Sequence, residues 1–565
     1  MSKKEKLILF LLVIIYSLVL LLMIFTSDKL MSIDECYIGT VAKEIIRGPA
    51  LSFFDYQQSD YSGESLVAAI LLAPIFLIFG ISIASLKMVT LFFNIPILII
   101  TFVFLKRFFN LKVAILTSVL FIFSPPIYTT ISLIAITHII KSFLFGIIIL
   151  YLFYNIFYNN KYDMKNFILL GLISGFAVWF SYMSLVFIFI CFLFWFVFDK
   201  KFLIKKRFII FLIFFLIGMS PWFYYNFTHE FSGIWKFQSI YGIQDFQTRF
   251  EQGFDKLKNL FLVDFLDSFR LRDFNSLKKP HLFAYFYYFI FLTSFFFLSY
   301  INRKSILRFI FRLFSSKKTK IHEIRKETFF LIYFMLYCLI FALSNFYLHT
   351  FTIDHFRGSP RGYTFFWEGA EGYQYISILY PFIFIIISLF LSRLFNTKSS
   401  FFKKTSLVLT VFFVAYGASG MYVLIDLDNF NFQGHADYEP ACYLQLIFAL
   451  YAKIGYTPEI GTKLCERLDE EHYYPNKISC YERIGSGISS GYAYNLSLAM
   501  NQCDFLEKKY GTICYKGVGR RTLWWSNYNL NFSLNLCKNL DEFHKPFCEE
   551  GVLLEDKKRD YIYIK

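Results

Sequence analysis

The sequence predicts an all-α integral membrane protein carrying a water-exposed helical tail, and three observations predict it. The 565 residues are 57% apolar and 22% aromatic but only 17% charged, a balance that excludes an ordinary soluble domain. Apolar runs long enough to cross a bilayer recur up to residue 425, separated by short basic segments. After residue 425 those runs stop, and Asp, Glu, Gly and Cys take over. The formal net charge of +16 is concentrated in the short segments between apolar runs. That is where the positive-inside bias places basic residues, so topology accounts for the charge and no nucleic-acid partner is implied.

Lys3, Lys4 and Lys6 precede the first apolar run, Leu7 to Phe25, which predicts a cytoplasmic N-terminus. No small-residue cleavage site follows, so the run is a membrane helix rather than a signal peptide. The stretch Ser65 to Gly80 is short for a span and is followed by Ile83 to Leu105, which ends in Lys106-Arg107. Treating the first as juxtamembrane leaves that basic pair facing the cytoplasm. Further spans fall at 112–124, 134–157, 166–181, 184–198, 208–225, 282–300, 327–347, 372–392 and 404–425, about eleven in all. The basic loops Arg303 to Lys326 and Arg393 to Lys404 agree with this parity. Longer loops, 226–281 and 348–371, then face outward with the tail.

Between the first two spans lies Ser32-Ile33-Asp34-Glu35-Cys36-Tyr37, opening a segment with apolar residues at 37/38, 41/42 and 45/46. That is helical spacing, with Lys43, Glu44 and Arg47 on the opposite face. Ser32-x-x-Glu35 reads as a capping box, and acids in a first turn complement the helix dipole. Taken alone, the segment is an interfacial helix with an acidic start.

Seven of the ten cysteines lie in the tail, at 442, 465, 480, 503, 514, 537 and 548, with gaps of 23, 15, 23, 11, 23 and 11. The words around them repeat as well: Cys480-Tyr481-Glu482-Arg483-Ile484-Gly485 and Cys514-Tyr515-Lys516-Gly517-Val518-Gly519. A 34-residue period of this kind marks stacked helical hairpins like the tetratricopeptide arrays. The shorter gaps give disulfides Cys465–Cys480, Cys503–Cys514 and Cys537–Cys548. The other register pairs 442–465, 480–503 and 514–537, and the spacing leaves both open. The absence of CxxC in the tail argues against a metal cluster, and disulfides fit an extracytoplasmic side.

An ordered set of short motifs completes the picture. Asp34-Glu35-Cys36-Tyr37 is backed by Ala42 and Ile45 to Gly48, and Tyr61-Ser62-Gly63-Glu64-Ser65-Leu66 precedes the short helix ending in Phe79-Gly80. Ala84-Ser85-Leu86-Lys87 opens a long helix closing with Leu105-Lys106-Arg107-Phe108-Phe109, and Ser124-Pro125-Pro126 ends the next. Far downstream stands Tyr373-Gln374-Tyr375-Ile376-Ser377-Ile378-Leu379-Tyr380-Pro381. With these motifs the first 425 residues resemble the GT-C superfamily of membrane glycosyltransferases. The resembling branch is polyprenol-phosphate-sugar-dependent and includes protein O-mannosyltransferases and the lipid A aminoarabinose transferase. The sequence departs from that pattern at Gln374 and Lys87, where the family often has Arg, and at Gly63-Glu64, where a Lys or Pro pair is frequent.

The resemblance implies a GT-C-like transmembrane domain over 1–425, with juxtamembrane helices in the first outer loop. The extracytoplasmic repeat of 426–565 lies outside it. It implies transfer of a hexosyl or pentosyl group from a polyprenyl-phosphate donor to a hydroxyl of a glycan, lipid or protein, on the outer face of an inner membrane. Asp34 would be the base, with Glu35 as the second catalytic candidate. Lys87, Arg357 and Arg361 would contact the donor phosphate, to which the arginine fork is suited. Glu64 and His138 are candidates for substrate or a divalent cation, although two ligands fall short of a site. A structural hydrogen bond for His138, and headgroup anchoring for the two arginines, are the plainer alternatives. The repeat tail offers a surface for a protein partner. A transporter or flippase for a lipid-linked substrate is a rival reading, and so is a non-catalytic scaffold presenting the repeat.

Overall fold

A computed structural model describes residues 1–26, 33–49, 51–59, 62–135, 141–159, 161–229, 231–234, 246–269, 282–315, 324–343, 377–426, 458–466, 470–492, 495–526 and 529–563. Among these the secondary structure is helical, with a single isolated bridge between Ser59 and Ser62. In chain order the helices are α1 (Lys3–Thr26), α2 (Ile33–Arg47), α3 (Glu64–Phe79), α4 (Ile83–Met88), α5 (Leu91–Phe108), α6 (Leu111–Ile122), α7 (Pro126–Leu133) and α8 (Ser142–Phe157). Next come α9 (Met164–Phe180), α10 (Ser184–Phe198), α11 (Lys206–Gly218), α12 (Ser220–Thr228), α13 (Phe246–Asn259), α14 (Leu282–Phe314), α15 (Lys326–Leu343), α16 (Tyr380–Phe395) and α17 (Ser400–Asp426). The tail comprises α18 (Pro458–Cys465), α19 (Glu470–Gly491), α20 (Leu496–Cys503), α21 (Lys508–Trp525), α22 (Leu530–Lys538) and α23 (Lys545–Tyr563).

Among the described residues, five helices are long and apolar enough to cross a membrane: α1, the continuous Ile83–Phe108 unit, α14, α15 and Ser400–Tyr422 of α17. Two bent pairs, α6 with α7 and α11 with α12, raise the number to seven if each pair is one span. Shorter apolar helices, α3, α8, α9, α10 and α16, accompany them. The all-helical membrane class expected from composition therefore holds. Several local expectations are revised: the expected 208–225 span is broken by a 52° bend between α11 and α12, and α14 runs on to Phe314, into the expected loop from Arg303 to Lys326. The 112–124 helix continues past Ser124-Pro125 into α7 after a 75° bend. Pro125 has no amide hydrogen to donate and disfavours helical backbone at the residue before it, so the chain turns there. The 226–281 loop contains a helix, α13.

The helix ends sort into two sets. At one end Lys106 pairs with Glu5 (2.8 Å), Arg107 donates to Asn155 (3.0 Å), and Lys200 donates to the carbonyl of Arg312 (2.7 Å). Lys326 donates to the Phe108 carbonyl (3.2 Å), and Arg393 pairs with Glu327 (2.8 Å). The N-terminus and these basic segments thus gather together, which is the alternation the charge pattern requires. The other end holds α2, α4, α7 and the start of α8.

Small residues let helices close on one another without a hydrophobic driving force between them. Gly171 and Gly175 of α9 lie against the Phe211 and Phe215 carbonyls of α11, and Gly218 of α11 lies against the Leu172 carbonyl, so a Cβ at any of them would overlap backbone. The same device builds the tail. Gly485 of α19 faces the Cys514 carbonyl of α21, and Gly517 of α21 faces the Glu482 carbonyl in return. One repeat later Gly519 and the Cys548 carbonyl, then Gly551 and the Lys516 carbonyl, make the same reciprocal contact between α21 and α23. The long helices α19, α21 and α23 therefore stack side by side, with α20 and α22 between them in sequence. Disulfides Cys465–Cys480, Cys503–Cys514 and Cys537–Cys548 join each shorter helix to the long one that follows.

Candidate functional site

The bend at Pro125-Pro126 sends α7 toward α2. Its last turn leaves backbone carbonyls without helical partners, and the Ser132 carbonyl takes two bonds from distant residues. Lys141 Nζ donates to it at 2.7 Å, and Asn94 Nδ2 of α5 at 3.0 Å. A cation at a helix C-terminus is also favoured by the helix dipole. Three residues on, the Ala135 amide donates to Glu35 Oε1 of α2 at 2.8 Å. Lys87 of α4 completes the group, its Nζ lying 3.3 and 3.5 Å from the two Glu35 oxygens.

Glu35, Lys87 and Lys141 are fully buried, and Asn94 nearly so. Two lysine amines and one carboxylate are thus held out of water, where each polar or charged group needs a partner to offset its lost hydration. The arrangement draws on four helices: α2 supplies the carboxylate, α4 and the approach to α8 the lysines, and α5 the amide that fixes the α7 terminus. A group built this way holds its carboxylate in one orientation.

The remainder of α2 is pinned from below. Tyr37 donates to the Tyr56 carbonyl (3.0 Å), and the Tyr56 hydroxyl donates to Glu44 Oε2 (3.2 Å). The turn at Phe53–Tyr56 rests on Tyr224 and Trp179, and Asp55 lies 3.2 Å from His229. Glu64 starts α3 and is buried. The preceding Gly63 leaves room for the Trp179 indole, which a Cβ there would strike, and its amide donates to the Trp179 carbonyl.

No protein-family model and no curated protein matches the sequence. Among solved structures the chain is similar to ArnT from Cupriavidus metallidurans bound to undecaprenyl phosphate. The identity is 10% over 97% of this chain and 88% of that one, with a TM-score of 0.45. At that identity and score the likeness assigns no activity.

Of the candidates read from the sequence, the structure brings Glu35 and Lys87 into direct contact. Asp34 lies in the first turn of α2, one residue before Glu35, and its side chain lies outside the described residues. His138, Arg357 and Arg361 also lie outside them. No group of three or more metal-ligating side chains occurs among the described residues. The Glu35 carboxylate bonds to residues 52 and 100 positions away, and Ser32 of the expected capping box lies outside the described residues. Lys141 and Asn94 join this group although neither was among the candidates read from the sequence. Their signal was present, since each is a polar residue inside an apolar stretch of predicted span.

Proposed function

We propose that this chain is a membrane glycosyltransferase of the GT-C type. It would take a sugar from a polyprenyl-phosphate donor and pass it to a hydroxyl on the extracytoplasmic face. The observation that carries the reading is the acidic first turn of α2, one of whose two carboxylates is locked in place by Lys87 and the Ala135 amide. A locked, ion-paired carboxylate makes a poor base but a good anchor. The division of labour follows: Glu35 fixes the turn and Asp34 takes the proton.

A carboxylate with an ordinary pKa of about 4 does not strip a free hydroxyl beforehand. Proton transfer to Asp34 is therefore concerted with attack. The acceptor oxygen bonds to the anomeric carbon, the carbon–oxygen bond to phosphate breaks, and the polyprenyl phosphate leaves with the electron pair. Cations near the leaving phosphate favour the developing charge. Lys141 lies close to the turn, and Arg357 and Arg361 are the candidates from the loop. Extracytoplasmic placement of the site and tail is supported by the gathering of basic segments at the opposite end of the bundle and by the three disulfides.

The test is complementation. Surface glycans and glycoproteins of a strain lacking the chain are compared by mass spectrometry after return of wild type, Asp34→Asn or Glu35→Asp. Asp34→Asn should abolish the restored product, a loss of at least about 100-fold, at normal protein level. Retained product would refute the enzyme reading and favour a transporter or scaffold.

A further inference from the structure

Cys36 is disulfide-bonded and directly follows the anchoring Glu35 on α2. The chain has ten cysteines. Six are joined as Cys465–Cys480, Cys503–Cys514 and Cys537–Cys548. Cys191 and Cys338 are free buried thiols on the membrane helices α10 and α15. By count within one chain, Cys442 is the cysteine left for Cys36; it lies outside the described residues, so the assignment is by elimination.

We infer that a Cys36–Cys442 disulfide ties the site helix to the start of the repeat tail, which makes Cys36 a positioning residue for the acidic turn. A second observation agrees. Buried apolar side chains of α2 and α3, among them Tyr37, Val41 and Leu72, belong to the same cluster as Leu464, Ile484 and Val518 of the tail. Phe93, Trp179, Phe180 and Trp222 at the ends of membrane helices join that cluster too, whereas most apolar side chains of the bundle form another. The tail therefore shares an apolar cluster with the end of the bundle that carries the site, and the disulfide makes that association covalent.

The consequence for chemistry rests on the reading given under Proposed function, whereas the bond itself does not. The first turn of a helix frays readily. With Glu35 held by Lys87 and the Ala135 amide on one side, and Cys36 held by the tail on the other, the backbone turn that carries Asp34 is fixed at two neighbouring residues. Small misplacements of a reacting group are costly. Forming the bond removes two protons and two electrons from the thiol pair, which pass by thiol–disulfide exchange to an oxidised dithiol of the extracytoplasmic side.

The test uses the full chain in detergent, alkylated without reduction and then digested. The expected result is a linked peptide pair containing Cys36 and Cys442, two hydrogens lighter than the separate peptides and lost on reduction. Alkylated Cys36, a link to any other cysteine, or a covalent dimer on a non-reducing gel would overturn the assignment. In the complementation assay Cys36→Ser, Cys442→Ala and the double variant should each lower product by about tenfold. The three losses should be equal, since each variant removes the same bond. Full activity in all three would overturn the positioning role. Cys442→Ala leaves α2 unchanged and keeps the test open if Cys36→Ser lowers protein level. Failure of the enzyme reading shows separately, as an Asp34→Asn variant that retains product while the linked peptide is present.

Discussion

The site end of the bundle and the repeat tail solve the same problem, holding helices in fixed relation, by opposite means. Around Glu35 the structure uses buried charge: one carboxylate, two lysine amines and two backbone groups drawn from positions 35, 87, 132, 135 and 141. In the tail it uses backbone proximity at reciprocal glycines and covalent links, repeated at a 34-residue interval. The first arrangement is specific but fails badly when one member is lost. The second spreads its stability over equivalent contacts, as a stacked repeat does.

Breaking the charged group gives the largest expected effect. Lys87→Met leaves Glu35 buried without its cation and should cost about 3–5 kcal/mol, read as a fall in the unfolding temperature of the detergent-solubilised chain. Adding Glu35→Gln to that variant should recover part of the loss, because the uncompensated charge is then removed. A double variant less stable than Lys87→Met alone would show that the ion pair is not what holds this end together.

The tail should respond more mildly. Gly485→Ala places a methyl group against the Cys514 carbonyl and Gly517→Ala one against the Glu482 carbonyl. Overpacking of this kind costs about 1–3 kcal/mol, measurable as earlier proteolysis of the tail in the full chain. Gly511→Ala meets its nearest carbonyl, that of Cys503, at 3.3 Å and should cost less. Equal effects at all three positions would mean that close helix approach is not the organising contact.

The smallest effect is a pH dependence. His544 lies between Asp541 (2.6 Å) and Asp504 (3.0 Å), and Tyr515 donates to Asp504 and meets the His544 ring edge-on. Burial alone would lower the imidazole pKa, but the hydrogen bonds and charges of Asp504 and Asp541 outweigh it and raise the value above 6.5. Asp541 is shifted down from 3.8, chiefly by its bond to His544. The histidine contribution is thus complete below pH 6.5 and lost as pH rises through the folded-state value. The Asp541 contribution is present above 3.8 and lost as pH falls through its lowered value. The stability difference between wild type and His544→Gln should be greatest in mildly acid solution and shrink as pH rises. A difference that grows with pH would contradict the His544–Asp pairing.

Much of this was legible in the chain itself. Lys106, Arg107, Lys200, Lys326 and Arg393 revealed their common end because charge at a span terminus is sorted by topology rather than by packing. The repeated Cys-Tyr words with their trailing glycines revealed the stacked tail because every unit must meet its neighbour in the same way. The role of Glu35 was not legible. A capping box is a local pattern, and nothing in the sequence near residue 35 announces Lys87 or the Ala135 amide. Lys141 and Asn94 are polar residues in apolar runs, but the group they serve, the Ser132 carbonyl, carries no side-chain signature.

The sequence by itself determined the membrane class, which helix ends share a side and the period of the tail, because hydrophobicity, charge and repetition act along the chain. Only the tertiary structure decided that the Glu35 carboxylate is tied to Lys87 and the Ala135 amide. That contact depends on four helices converging at a bend, and on the energetic demand that charges buried there find one another.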